Sequence, residues 1–201
     1  MTKKMFLTAV VALGLWATQI NAQSTSFGVK IDANMSNFAL FDVNNLKSTM
    51  KVGASIGGFL KIDFSEYFAI QPELSILYKS SEMKVSSIKS DYNYWGFEVP
   101  VYAMVQLTHE EGNRAYLGIG PVFDCGFSAK SGGTKLYKDN AGALQQERFN
   151  VGAGVLLGYE FDFGMQINAS YKYGLLNSLK NPVGDAYSSP QSVSLGIGYR
   201  F

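Results

Sequence analysis

The 201-residue chain has one cysteine, one histidine and few charges, 16% of residues against roughly a quarter in an average soluble domain. A lone Cys125 rules out a disulfide framework, and a lone His109 rules out sites built on several histidines. The formal net charge of +1 gives no electrostatic footprint for nucleic acid. No apolar run reaches the 18 residues of a membrane-spanning helix. What the chain has in quantity is glycine, 21 residues, and aromatics, 14%. These features point to an all-β chain with no evident catalytic or cofactor chemistry.

The first 22 residues have the three-part order of a secretory signal peptide. Lys3 and Lys4 precede an apolar run from Met5 to Ala17, and Ile20-Asn21-Ala22 offers a small residue at the cleavage position. The expected division is therefore a removed signal peptide at 1–22 and one domain at 23–201. Losing Lys3 and Lys4 turns the formal charge from +1 to −1. With its only cysteine at 125, the chain offers no lipid-attachment cysteine after the cleavage site.

Period-two alternation marks eight strands with unlike faces. They centre on Phe27–Met35, Val52–Ile62, Phe68–Lys79, Trp95–Leu107, Ala115–Phe127, Phe149–Glu160, Met165–Leu175 and Ser192–Phe201. Each runs roughly 9–13 residues, enough for a tilted strand to cross a bilayer. Short connections near 63–67, 108–113 and 162–164 alternate with long ones near 37–50, 80–91, 129–147 and 177–190. That rhythm suits the turns and outer loops of a membrane barrel. The expected fold is an eight-stranded antiparallel up-and-down transmembrane β-barrel.

Charge placement supports this choice. Lys30, Asp32, Lys61, Glu73, Lys79, Glu98, Asp124, Glu160, Lys172 and Arg200 all fall on the polar face of their segments, and the apolar face carries none. A lysine or arginine facing lipid at mid-membrane costs about 2–4 kcal/mol, so the lipid face has to be apolar. An eight-stranded interior is just wide enough for side chains to fill. Five charges of each sign then predict a luminal ion-pair network and a plugged lumen, with glycines making room for the long charged side chains. Aromatics gather at segment ends: Tyr92, Tyr94, Trp95 and Phe97 at the loop end, and Tyr67, Phe68, Tyr159, Phe161, Tyr199 and Phe201 at the turn end. Two interfacial girdles are expected there. Pro72, Pro100 and Pro121 fall inside strands and predict bulges or unbonded ladder positions.

Other chemistry is weaker. Glu73 and Glu98 could share a proton across adjacent strands, but luminal lysines and Arg200 offer simpler partners. His109 beside Glu110 and Glu111 reads as an exposed turn histidine, and Cys125 as a small hydrophobe between Phe123 and Phe127. Gly118-Ile119-Gly120 and Gly152-Ala153-Gly154 lack the strand-turn-helix setting of a phosphate loop. A serine hydrolase would need its histidine at the outer leaflet, whereas His109 falls at the opposite end. No enzyme, metal or cofactor is expected.

The C-terminal run Ser194-Leu195-Gly196-Ile197-Gly198-Tyr199-Arg200-Phe201 resembles the signal read by the barrel assembly machinery, with Tyr199 and Phe201 as its aromatic positions. Gln71-Pro72-Glu73-Leu74, Phe97-Glu98-Val99-Pro100-Val101, Tyr116-Leu117-Gly118-Ile119-Gly120-Pro121, Phe149-Asn150-Val151-Gly152 and Tyr171-Lys172-Tyr173-Gly174-Leu175 together resemble the PorT-like outer-membrane β-barrel family of Bacteroidota. The resemblance implies an eight-stranded barrel in the outer membrane. The family's namesake is associated with protein secretion, a role no residue here carries over. Expected partners are outer-membrane lipids and the assembly machinery, with the outer loops available to a protein partner and no nucleic acid. A monomer with a structural or interaction role is expected. The competing readings are a small-ligand or narrow-channel barrel, an accessory of protein secretion, and a soluble lipocalin-like barrel with its faces inverted.

Overall fold

The computed structural model describes residues 24–41, 46–85, 88–109, 112–137, 145–180 and 187–201. The signal-peptide reading of 1–22, and the glutamates proposed beside His109, lie outside these residues. Among the described residues nine strands form one antiparallel sheet: β1 Ser24–Phe41, β2 Leu46–Asp63, β3 Phe68–Val85, β4 Ile88–Thr108, β5 Arg114–Ser131, β6 Thr134–Lys135, β7 Phe149–Glu160, β8 Met165–Gly174 and β9 Tyr187–Arg200. β6 is a two-residue hairpin partner of β5. The other eight pair with their neighbours in chain order, and β9 pairs with β1 to close the ring. This is an all-β up-and-down barrel. Closure leaves no strand edge in the wall, which makes a β-sheet compatible with lipid.

The ring is tilted. Gly28 pairs with Arg200 on one side and Phe59 on the other. Partners followed from Phe59 through Glu73, Val122 and Gly152 reach β9 near Gln191. Side chains at one height therefore come from different depths of their strands.

Burial separates the two faces. Neighbouring residues show it best: Leu156 is 1% exposed and Leu157 58%. Phe27, Val29, Ile31, Val52, Ile56, Leu74, Ile119, Leu195 and Ile197 point outward. Lys30, Asp32, Lys61, Glu73, Glu98 and Glu160 are buried inside. A soluble carrier barrel would have these faces the other way round. The interior is also less purely polar than the sequence suggested, because Phe59, Tyr102, Met104, Tyr116 and Leu156 fill it. The luminal glycines make room for aromatic rings as well as for charges. A Cβ on Gly158 would meet the Tyr116 ring at 2.3 Å, and one on Gly28 would meet the Phe59 ring at 2.2 Å.

Two features depart from expectation. β1 to β5 run 18, 18, 18, 21 and 18 residues, so most of the long connections placed at 37–50 and 80–91 are strand. They form paired ribbons beyond the apolar band. There the strict alternation of apolar and polar residues ends, while partner strands still satisfy the backbone. The wall from β7 to β9 is shorter, at 12, 10 and 14 residues. We call the end with the ribbons the ribbon end, and the end with the short turns and the C terminus the turn end.

The prolines fall at gaps in their ladders, not at bulges. The β2–β3 ladder skips the positions around Pro72, β3–β4 those around Pro100 and β4–β5 those around Pro121, with register unchanged across each gap. Register shifts occur elsewhere, between Lys51 and Ala54 and beside Trp95 and Gly96. At the second, Gly96 pairs with Gly126 and Trp95 with Ser128, so Phe127 is the extra residue. The insertion reverses the faces of β5 beyond it: Ala129 turns inward and Lys130 outward.

Candidate functional site

The lumen holds the polar groups in tiers. Nearest the turn end, Lys61 from β2 and Glu160 from β7 pair at 2.9 Å with both side chains fully buried. Arg200 Nε lies 2.9 Å from the other Glu160 oxygen, and Gln166 Nε2 donates to Glu160 at 2.6 Å. Beside them Asp63 accepts from Gln106 at 2.8 Å and faces Arg114 at 3.5 Å. Lys61 also lies over the Tyr116 ring, 5.8 Å from its centroid.

A second group forms around Lys30, which is 2.9 Å from Glu73 and 3.4 Å from Asp32. Gln71 donates to Glu73 at 2.9 Å and Ser55 to Asp32 at 3.0 Å. A third joins Lys79 to Asp124 at 2.7 Å and to Glu98 at 3.2 Å. Lys172 pairs with the other oxygen of Glu98, and the Tyr94 hydroxyl donates to Asp124. Glu73 and Glu98 thus each have their own lysines, and no hydrogen bond joins them to each other. Each luminal carboxylate carries a cation, as buried charge requires.

Above the third group, residues 132–137 and 145–148 of the β5–β7 connection pack over the mouth. Leu136 is buried against Phe38, Tyr92 and Ala129, with Met83, Tyr94 and Tyr137 around them. Phe38 and Tyr92 meet edge to face at 4.9 Å, and the Tyr92 hydroxyl donates to Gln146 at 2.9 Å. Backbone bonds tie this connection to the one between β8 and β9: Glu147 N to Ser178 O at 3.0 Å, and Lys180 N to Gln145 O at 2.9 Å. Arg148 stacks on Tyr137 at 4.6 Å. Burial and the Asp124 carboxylate push the Tyr137 phenol above its usual range, with Arg148 opposing. Between cap and ion pairs lies a cavity of about 40 Å³, and another of about 20 Å³ lies beside Glu98 and Lys172. These hold a few waters and nothing larger.

Sequence reasoning missed several of these groups. Asp63 and Arg114 sit at strand ends that read as turn. Tyr92 and Tyr94, expected in the outer girdle, turn inward to the cap and the third ion group, leaving Trp95 and Phe97 outside. Outward ring pairs Tyr78–Trp95 at 5.1 Å and Phe97–Phe127 at 5.4 Å mark the ribbon-end edge of the apolar band. At the turn end the rings meet in two sets, Tyr159, Phe161 and Phe163 in one and Tyr199, Phe201 and Phe27 in the other. There Phe201 N donates to Phe27 O at 2.8 Å, tying the C terminus to β1. His109 is exposed in the β4–β5 turn, and Cys125 is exposed on the outward face. Among the described residues no cluster of three or more His, Cys, Asp and Glu could hold a metal ion.

Known structures carry the same architecture. Neisserial surface protein A (NspA) is 14% identical, with a TM-score of 0.53 over 89% of this chain and 99% of that one. The outer membrane protein OprG from Pseudomonas aeruginosa is 13% identical, with a TM-score of 0.55 over 89% of this chain and 97% of that one. A comparison with curated proteins returns no match. Residues 8–201 match the outer membrane protein beta-barrel domain, and the chain belongs to that family.

Proposed function

We propose that the protein is a monomeric integral outer-membrane barrel with a sealed lumen, acting structurally or by interaction at the cell surface through its ribbon end. The observation that carries this reading is the self-sufficiency of the lumen. Among the described residues its lysines, arginines and carboxylates pair with one another, and the two cavities described above, about 40 and about 20 Å³, lie beside those pairs. Such an interior supports a structural plug of Lys30, Asp32, Lys61, Glu73, Glu98, Asp124, Glu160, Lys172 and Arg200 over a pore or a catalytic pocket. In this reading residues 1–22 are a removed signal peptide, the short turns face the periplasm, and Tyr199 and Phe201 are read by the assembly machinery. The motif order supports membership of the PorT-like branch in Bacteroidota.

The test is conductance and heat-modifiability of the same preparation. The folded protein migrates differently on a gel before and after boiling, and adds no steady conductance to a planar bilayer. The competing narrow-channel reading draws on the buried Tyr102 and Tyr116 hydroxyls, which have no hydrogen-bond partner among the described residues and suit internal water. A reproducible unitary conductance would overturn the sealed lumen in its favour.

A further inference from the structure

The tall side of the barrel carries a row of lysines on its outward face that the sealed lumen does not use. Lys84 and Lys89 are direct ladder partners on β3 and β4, and Lys130 and Lys135 are direct partners on β5 and β6. All four are exposed. Like charges placed opposite one another on adjacent strands destabilise a sheet. The nearby carboxylates do not neutralise the set: Glu82 is 3.2 Å from Lys89, and Asp91 is held by Lys51 at 2.6 Å. Lys84, Lys130 and Lys135 have no ion-pair partner among the described residues.

Their height is defined by the girdle. Tyr78 and Trp95 are ladder partners at its edge. Lys130 faces Asn93, two residues beyond Trp95, and Lys84 lies six residues beyond Tyr78. At about 3.3 Å per residue these are about 7 and about 20 Å along the strands from the apolar band. The first is headgroup depth, since the headgroup layer extends a few ångströms beyond the hydrocarbon on each side. The other end has the opposite charge. The described residues of its turns include Glu66 and Asp162 and no lysine or arginine. On the short side, the exposed cations of the described connections are Arg148, stacked on Tyr137, and Lys180.

We infer that the outward face of the ribbon formed by β3 to β6 is a docking surface for the phosphate groups of anionic glycolipid in the surrounding outer leaflet. Lys130 and Lys135 bind at headgroup depth, and Lys84 and Lys89 extend the basic face beyond it. Each basic side chain near an anionic membrane surface adds to attraction, and the ammonium groups of opposed lysines converge on one anion. Bound phosphate also relieves the repulsion that the register builds in. The inference rests on the orientation proposed above, with the ribbon end outside.

The test uses the full chain folded in detergent, with a bisphosphorylated diglucosamine lipid and its dephosphorylated form as probes. Native mass spectrometry reads the lipid retained. The variant K84Q/K89Q/K130Q/K135Q is expected to lose about tenfold in retention of the phosphorylated lipid and nothing for the other, while keeping its heat-shift on the gel. The corresponding Lys→Arg set is expected to retain the lipid, and Lys180→Gln to behave as the parent. Equal retention by parent and quadruple variant, equal retention of both probes, or a loss as large in Lys180→Gln would each overturn the site. Orientation is read separately, by labelling Thr134→Cys in a Cys125→Ser background with a membrane-impermeant maleimide on intact cells. Labelling with no lipid effect sinks the docking surface alone. Absence of labelling in intact cells, with labelling after lysis, sinks the orientation and the inference with it.

Discussion

The two ends of the lumen are shut by different chemistry. At the turn end, closure comes from strand residues: Lys61, Glu160 and Arg200 lock together under Gln166, with Asp63 and Arg114 beside them. At the ribbon end, it comes from a connection laid over the mouth, with Leu136 seated among Phe38, Tyr92 and Ala129. The first closure is part of the wall and cannot open without breaking it. The second is held by an apolar cluster and backbone bonds between two connections, and it can open while the wall stays whole. A protein whose lumen were its working part would have little use for the first kind. A protein whose outer end is its working part needs a rigid floor and tolerates an adjustable cap.

Removing the floor's central carboxylate should have the largest effect. Glu160→Ala leaves Lys61 buried without its partner and takes one from Arg200. Breaking a buried pair in this way costs about 3–5 kcal/mol. Urea unfolding of the protein in lipid, followed by tryptophan fluorescence, is expected to show a loss of that size, with unboiled protein moving to the unfolded band at lower temperature. A shift within error of the parent would mean that the floor is not structural. A smaller loss is expected from Gly158→Val in the same region. Its new Cβ meets the Tyr116 ring at 2.3 Å, and overpacking of this kind costs about 1–3 kcal/mol. Tyr116→Leu in the same chain should restore part of the loss. Without that rescue, the clash is not with the ring.

The same contrast divides what could be read from the sequence. Lys61, Glu160 and Arg200 could be named in advance because a strand sends every second residue to one side, and only one side of a membrane barrel tolerates charge. Asp63 and Arg114 share their tier, but they stand where alternation gives way to turn residues. The cap was not legible, because Leu136 and Gln146 sit in a connection with no period to show which way a side chain points. The ribbons were misread as loops for a related reason. Beyond the lipid the outward face meets water and the inward face mixes serines with the rings under the cap, so the pattern that reveals a strand fades while the hydrogen bonding that makes one continues. The Phe127 bulge adds one residue and so exchanges the faces of Ala129 and Lys130. A count of two cannot register an insertion that nothing in the local composition announces.

The smallest change in global stability is expected at the cap, and this sharpens the distinction between the ends. Leu136→Ala removes the side chain that holds the connection down, a truncation that in a closed core would cost about 2–5 kcal/mol. Here the connection can lift instead of leaving a cavity, so the urea midpoint should stay near that of the parent. Its effect should appear as local exposure: faster protease cleavage between residues 132 and 147, with the barrel fragments still heat-modifiable. Conductance should stay absent in this variant, because the ion-paired floor is untouched. A cap variant that unfolds with the barrel, at the cost expected of a closed core, would show that the two closures are one cooperative unit. A cap variant that conducts would show that the floor does not seal, and the plugged lumen would then depend on the connection alone.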